Sequence, residues 1–144
     1  MARNTAGYGL TALRIFLGVF FLFEGLGKWQ WIADSGPLVS QLSGWAEQAP
    51  ASSRWYLDAI AIPFAPVFAR LVMLGEITLG FALAAGFRVR LAAILGFLMV
   101  LNFHFASGRL FQYAFLTNGY GLPVLGGLLA LAIGGAKLPW NLRG

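Results

Sequence analysis

The stretch FEGLGKW, residues 23–29, places Glu24 and Lys28 four residues apart at the end of the apolar run LTALRIFLGVFFLFEGLGKW. The run is long enough to cross a bilayer. Arg14 lies within it, and two other apolar stretches carry further polar groups. PVFARLVMLGEITLGFALAAG holds Arg70 and Glu76, and RLAAILGFLMVLNFHFAS holds Asn102 and His104. Carboxylates, amines and an imidazole can pair with one another, carry protons or donate hydrogen bonds to a carbonyl. In hydrocarbon each is expensive, and such groups mark functional sites by default. The competing reading is an ion network that only fixes which helices pack together. His104 fits several roles: proton carrier, partner of a quinone carbonyl, ligand to a pigment or haem held by another chain, or a satisfied histidine inside a bundle.

Composition explains why these groups have to be read in a membrane. The 144 residues are 59% hydrophobic and 10% charged, and mean hydropathy is +0.76. A soluble domain of this size has too little interior for that apolar surface. The formal charge of +5 matches the excess of basic residues in cytoplasmic loops, and no nucleic-acid-binding motif is present. The sequence has no Cys and one His. Disulfides, a thiol nucleophile, a self-held iron–sulfur cluster and a multi-histidine metal site are therefore excluded for this chain. No metal is expected from it alone.

The pattern predicts an all-α integral membrane protein, a single domain over 1–144 built as a four-helix bundle. Spans are expected at about 9–29, 66–86, 90–107 and 119–136, each near the length a bilayer core requires. Arg3 followed by an apolar run is reminiscent of a signal peptide. The run is too long for that and contains Glu24 and Lys28, so it reads as a retained first helix. Between the first two spans, Leu38, Leu42, Trp45 and Ala49 recur at helical spacing after Pro37. They predict a short amphipathic helix in an outer interfacial segment over 30–65. A second short helix is expected in SSRWYLDAIAIPFAP, ended by Pro63 and Pro66. Trp29, Trp31, Trp45, Trp55 and Tyr56 fit an interfacial aromatic belt, or part of a lid over a ligand site. Arg3, Arg88, Arg90, Lys137 and Arg143 fall on one side. Arg54 and Arg109 share the other with Asp34, Glu47 and Asp58. Both termini are thus expected in the cytoplasm, in a multi-pass protein of a bacterial inner membrane. Gly126, Ala130 and Gly134 form a small-residue stripe for close helix contact.

At 1.5 Å per residue, Glu24, Lys28, Arg70, Asn102 and His104 lie roughly 18–27 Å from the cytoplasmic ends of their helices. Glu76 lies at roughly 15 Å, near mid-membrane. The expected pairings are Glu24 with Lys28 on one face, Arg70 forked onto Glu24, and Arg14 with Glu76. Glu24, Lys28, Arg70 and His104 are expected to form one connected polar site.

Two motifs resemble those of the DoxX/DoxD-like membrane proteins. In RIFLGVFFLFEGLGKW, Arg14, Gly18, Gly25 and Lys28 match the first-helix pattern. In MLGEITLGFALAAGFRVRLAA, Gly75, Glu76, Gly80, Gly86, Arg88 and Arg90 match the second. The resemblance covers roughly residues 10–107 and carries over Arg14, Lys28 and Glu76. It implies four membrane helices and, through the small subunit of thiosulfate:quinone oxidoreductase, a subunit working near the quinone pool. Quinone is then the expected ligand. Arg70, Lys28 and His104 would be its donors, and Glu24 or Glu76 its proton carriers. The alternative is a non-catalytic accessory subunit that braces other membrane subunits of a larger complex. A transporter is less well supported, since no inverted repeat is evident.

Overall fold

The computed structural model describes residues 2–142; Arg143 lies outside them. The chain is helical, and among the described residues there is no strand. α1 runs Ala2–Gly27 and is followed by a single 3-10 turn, Trp29–Ile32. α2 is Gly36–Gln48. α3, Ala51–Tyr56, continues into a wider π turn over Leu57–Ala61. α4 is Ala65–Ala85, α5 is Val89–Ala106, and α6 is the short Tyr113–Thr117. α7, Leu122–Gly134, ends in a 3-10 turn through Lys137.

Three of these helices are long and apolar enough to cross a membrane, and the stretch Leu122–Lys137 is a shorter apolar helix. The fourth segment is shorter than the sequence suggests. The turn around Asn118 and Gly121 delays its start, and its first turn contains Pro123, which suits that position. Pro66 likewise opens α4 rather than ending the helix before it.

The four long helices close into a bundle. α1 packs against α4 and α7, and α5 packs against α4 and α7. Leu17, Phe21, Leu79, Leu83, Leu128 and Leu131 fill the interior. Phe16, Phe23, Leu71, Phe81 and Ile133 are exposed on the outside, where lipid is their natural solvent. The chain is thus a multi-pass membrane protein in contact with the bilayer.

The α1–α4 seam is the closest in the bundle. A Cβ on Gly18 would lie 2.5 Å from the backbone nitrogen of Ala84, and one on Gly80 would lie 2.5 Å from that of Leu22. Only a hydrogen fits at either position, so the two backbones touch. α4 stops at Gly86, whose φ of +76° closes the helix in the left-handed region glycine tolerates. Phe87 N–H then donates to Ala82 O at 2.8 Å, and a tight turn leads into α5.

The connection between α1 and α4 is ordered around a second apolar cluster. Leu38 and Leu42 of α2 meet Leu57 and Ala61 of the π turn, Ala65 and Ala69 of α4, and Ala106 of α5. Gln41, Glu47 and Gln48 are exposed, as amphipathic spacing requires. Arg54 donates to the carbonyls of Ala46 and Glu47 at 3.0 and 3.3 Å, capping α2 at its negative end. Ser53 Oγ donates to Phe105 O at 2.7 Å. α2 is therefore fastened across the end of the bundle.

Gly80→Val should force α1 and α4 apart and lower the thermal midpoint in detergent by several degrees or abolish folding. Gly126→Ala should leave it unchanged, because nothing lies within 4 Å of a Cβ there. Equal midpoints for the two variants would contradict the close seam.

Candidate functional site

Lys28 follows the last residue of α1 and leads into the 3-10 turn. Its Nζ donates to Glu24 Oε2 at 3.0 Å and to the Glu24 carbonyl at 3.1 Å. It also donates to Glu76 Oε1 at 3.0 Å and Oε2 at 2.8 Å. The Trp31 ring centroid lies 5.9 Å from the same nitrogen, within cation–π range. The Glu76 side chain is 4% exposed and that of Glu24 is 35% exposed. One ammonium thus serves a buried carboxylate and a half-open one, and the triad carries a net negative charge when all three groups are ionised.

The triad lies at one wall of a cavity of about 300 Å³. Phe20 and Phe21 of α1, Phe68 and Val72 of α4, and Val100 and Phe103 of α5 form its apolar surround. Trp31 of the 3-10 turn and Leu38, Gln41, Leu42 and Trp45 of α2 complete it. Asn102 and His104 line the same cavity, together with Arg109, Asn118 and Tyr120 from the α5–α7 connection. His104 Nε2 lies 3.0 Å from Tyr120 O. Since a carbonyl only accepts, Nε2 carries the proton. The imidazole also meets the Phe115 ring at 4.8 Å, edge to face.

The expected pairings are corrected at three points. Arg14 does not reach Glu76. It is 1% exposed and donates to the carbonyls of Leu83 at 2.7 Å, Ala84 at 2.6 Å and Trp140 at 3.0 Å. The glycine seam places Gly18 beside Ala84, so Arg14 stands at the end of α4. Glu76 is eight residues further up, roughly 12 Å. The guanidinium instead donates to carbonyls at the negative end of α4 and to one of the C-terminal segment. Arg70 does not fork onto Glu24. It is exposed and donates to its own Pro66 O at 2.5 Å. Six residues from Glu76, it falls on a different face of α4. His104 shares the cavity with the triad but makes no bond to it.

The depth estimate separated Lys28 from Glu76 by roughly 12 Å, yet they touch. Side chains lean toward the N-terminus of their own helix. Because α1 and α4 are antiparallel, Lys28 leans down and Glu76 leans up. Two groups that line the cavity went unflagged. Asn118 and Tyr120 belong to a connection without periodicity, and the His104 partner is a backbone carbonyl that no side-chain pattern reveals. Trp31 and Trp45, expected within the belt, face the cavity, while Trp29 and Trp55 are exposed at 64% and 66%. Among the described residues, no three His, Asp or Glu side chains converge as a metal site would need.

Fold and site together define a helical multi-pass membrane protein with an aromatic cavity, covered by α2, beside an ion triad whose Glu76 is buried. The DoxX family model matches residues 9–108, and the chain belongs to the DoxX family. The match covers α1 through α5 and so includes Glu24, Lys28, Glu76, Asn102 and His104. No curated protein and no solved structure matches the chain.

Lys28→Met should destabilise the protein by about 3–5 kcal/mol by stranding the Glu76 carboxylate. Adding Glu76→Gln should recover much of that loss, since the charge left behind is then removed. Glu24→Gln should cost about 1 kcal/mol or less, because its side chain is partly open to solvent. Denaturant unfolding in mild detergent measures all three, and additivity of the Lys28 and Glu76 changes would show that the pair does not couple.

Proposed function

We propose that the protein is a membrane subunit of quinone-linked redox chemistry that holds a quinone ring in the cavity beneath α2. One observation carries this reading: a cavity of about 300 Å³, walled by aromatic rings, ends on the Glu24–Lys28–Glu76 triad. A flat, apolar ring with polar groups at its edge fits such a slot, and its hydrocarbon tail would lie along the lipid-facing helices. Bound there, a quinone supplies paired electron and proton transfer. The chain supplies the slot, the hydrogen bonds of Asn102 and the triad, and carboxylates that can hold protons. With no Cys and a single His in its sequence, it holds no evident electron-transfer centre of its own. The electron donor or acceptor is then a partner subunit or a diffusing species.

The end bearing both termini carries Arg88, Arg90 and Lys137, whereas all five acidic residues lie in the triad or the outer connection. This asymmetry supports cytoplasmic termini and a cavity near the outer face of a bacterial inner membrane.

An accessory role in a larger complex is the second reading. It is favoured by the open surface around Gly126 on α7 and by exposed Arg70 on the membrane span. Gentle solubilisation separates the two. A free protein retaining quinone favours the first, and a stoichiometric assembly without quinone favours the second.

A photoreactive benzoquinone with an alkyl chain should label peptides containing Trp31, Trp45 or Phe103, and excess unlabelled quinone should compete. Labelling confined to lipid-facing Phe16 and Phe81, or labelling that does not saturate, would contradict the proposed site.

A further inference from the structure

The donors and acceptors at the ionic end of the cavity can be counted. Lys28 has three N–H protons, and four oxygens lie within 3.1 Å of its Nζ. It has no proton left for a ligand. To donate to one it would have to give up an oxygen it already holds. Glu24 is placed differently. Only its Oε2 is engaged, its side chain is 35% exposed, and its Oε1 has no partner among the described residues. That oxygen is a free acceptor on a side chain that lines the cavity. His104 adds to the same tendency. Its Nε2 donates to Tyr120 O, so only Nδ1 is left, which in the uncharged imidazole is a lone pair. Asn102 makes no side-chain hydrogen bond among the described residues, and its amide can donate or accept. The cavity also holds other donors, the indole N–H groups of Trp31 and Trp45, the Gln41 amide, the Tyr56 and Tyr120 hydroxyls, Arg109 and Asn118, and each can serve a quinone carbonyl or a quinol hydroxyl oxygen alike.

A quinone presents carbonyl oxygens, which only accept. Its reduced form presents hydroxyls, which donate. We propose that the cavity selects the reduced ring, a quinol, over the quinone, with Glu24 Oε1 accepting a ring O–H. The inference rests on the reading of the cavity as a quinone-ring site and adds which redox form the site prefers. A quinone carbonyl placed at the same point would meet a carboxylate oxygen, which has no proton to donate to it. Asn102 and the other donors serve either form, so Glu24 sets the preference. A hydrogen bond to a charged acceptor corresponds to about tenfold to a hundredfold in affinity.

The test is a pair of anaerobic calorimetric titrations of the full chain in nanodiscs, one with decyl-benzoquinone and one with the corresponding hydroquinone. The hydroquinone should bind at least about tenfold more tightly. In Glu24→Gln the ratio should fall to about one, since an amide of the same shape can donate as well as accept. Equal or tighter binding of the quinone by the unaltered protein would overturn the inference while leaving the ring site standing. An unchanged ratio in folded Glu24→Gln would remove Glu24 as its cause. Binding of neither form would overturn the ring-site reading, and the inference with it. If Glu24→Gln fails to fold, the ratio for the unaltered protein decides.

Discussion

The ion pair between Lys28 and Glu76 depends on how closely α1 approaches α4. A lysine just past the end of one helix meets a carboxylate midway along an antiparallel neighbour. This is possible because Gly18 and Gly80 let the backbones touch. It is favoured because the two side chains lean toward each other. Once formed, the pair removes the main objection to Glu76 in a membrane interior, a carboxylate without a countercharge. Glu24 then joins at little cost, as a second acceptor on the same ammonium. The glycines and the charges of the motif are therefore parts of one construction: the first bring the helices together, and the second occupy the space where they meet.

α1 is fixed to α4 at two levels by two cations of different kinds. Lys28, a compact ammonium, collects two carboxylates near the end covered by α2. Arg14, a planar guanidinium, collects carbonyls of Leu83, Ala84 and Trp140 near the terminal end. Each suits its place. The carbonyls around Arg14 are spread over two chain segments and need a fork of donors, whereas the triad needs a point charge. The arrangement holds α1, α4 and the C-terminal segment in one register. The cavity is left between that rigid pair, α5 and the interfacial helix α2.

Much of the fold was legible in the sequence because membranes impose simple rules. Apolar runs gave the long helices, and helical spacing of Leu38, Leu42 and Trp45 gave α2. The site was legible in part. Glu24 and Lys28 were visible as an i,i+4 pair, and Glu76, Asn102 and His104 as polar residues at related depth. Their partners were not, for physical reasons. Rise per residue locates a Cα, but a lysine or glutamate ends several ångströms away in a direction set by the helix. The Arg70 face was fixed by which side of α4 the glycines turn toward α1, and depth alone carries no such information. Arg14 found backbone carbonyls, and His104 another. Such acceptors exist at every residue and leave no trace in composition.

The functional proposal follows from what the construction leaves unsatisfied. Lys28 and Glu76 line the cavity but are engaged with one another, so Glu24 carries the acceptor the triad leaves free. Aromatic walls on three helices and the fastened α2 give that carboxylate a mostly apolar setting, in which a single hydrogen bond can discriminate. The contact on which this rests can be measured without a ligand. Magnetic-resonance dipolar coupling between an isotope-labelled Lys28 ζ-nitrogen and labelled glutamate carboxyl carbons in lipid, with Lys137 replaced by Arg, reports it directly. Strong transfer to two carboxyl groups is expected, with one of them lost in Glu76→Gln. Transfer to Glu24 alone, unchanged by Glu76→Gln, would contradict the account.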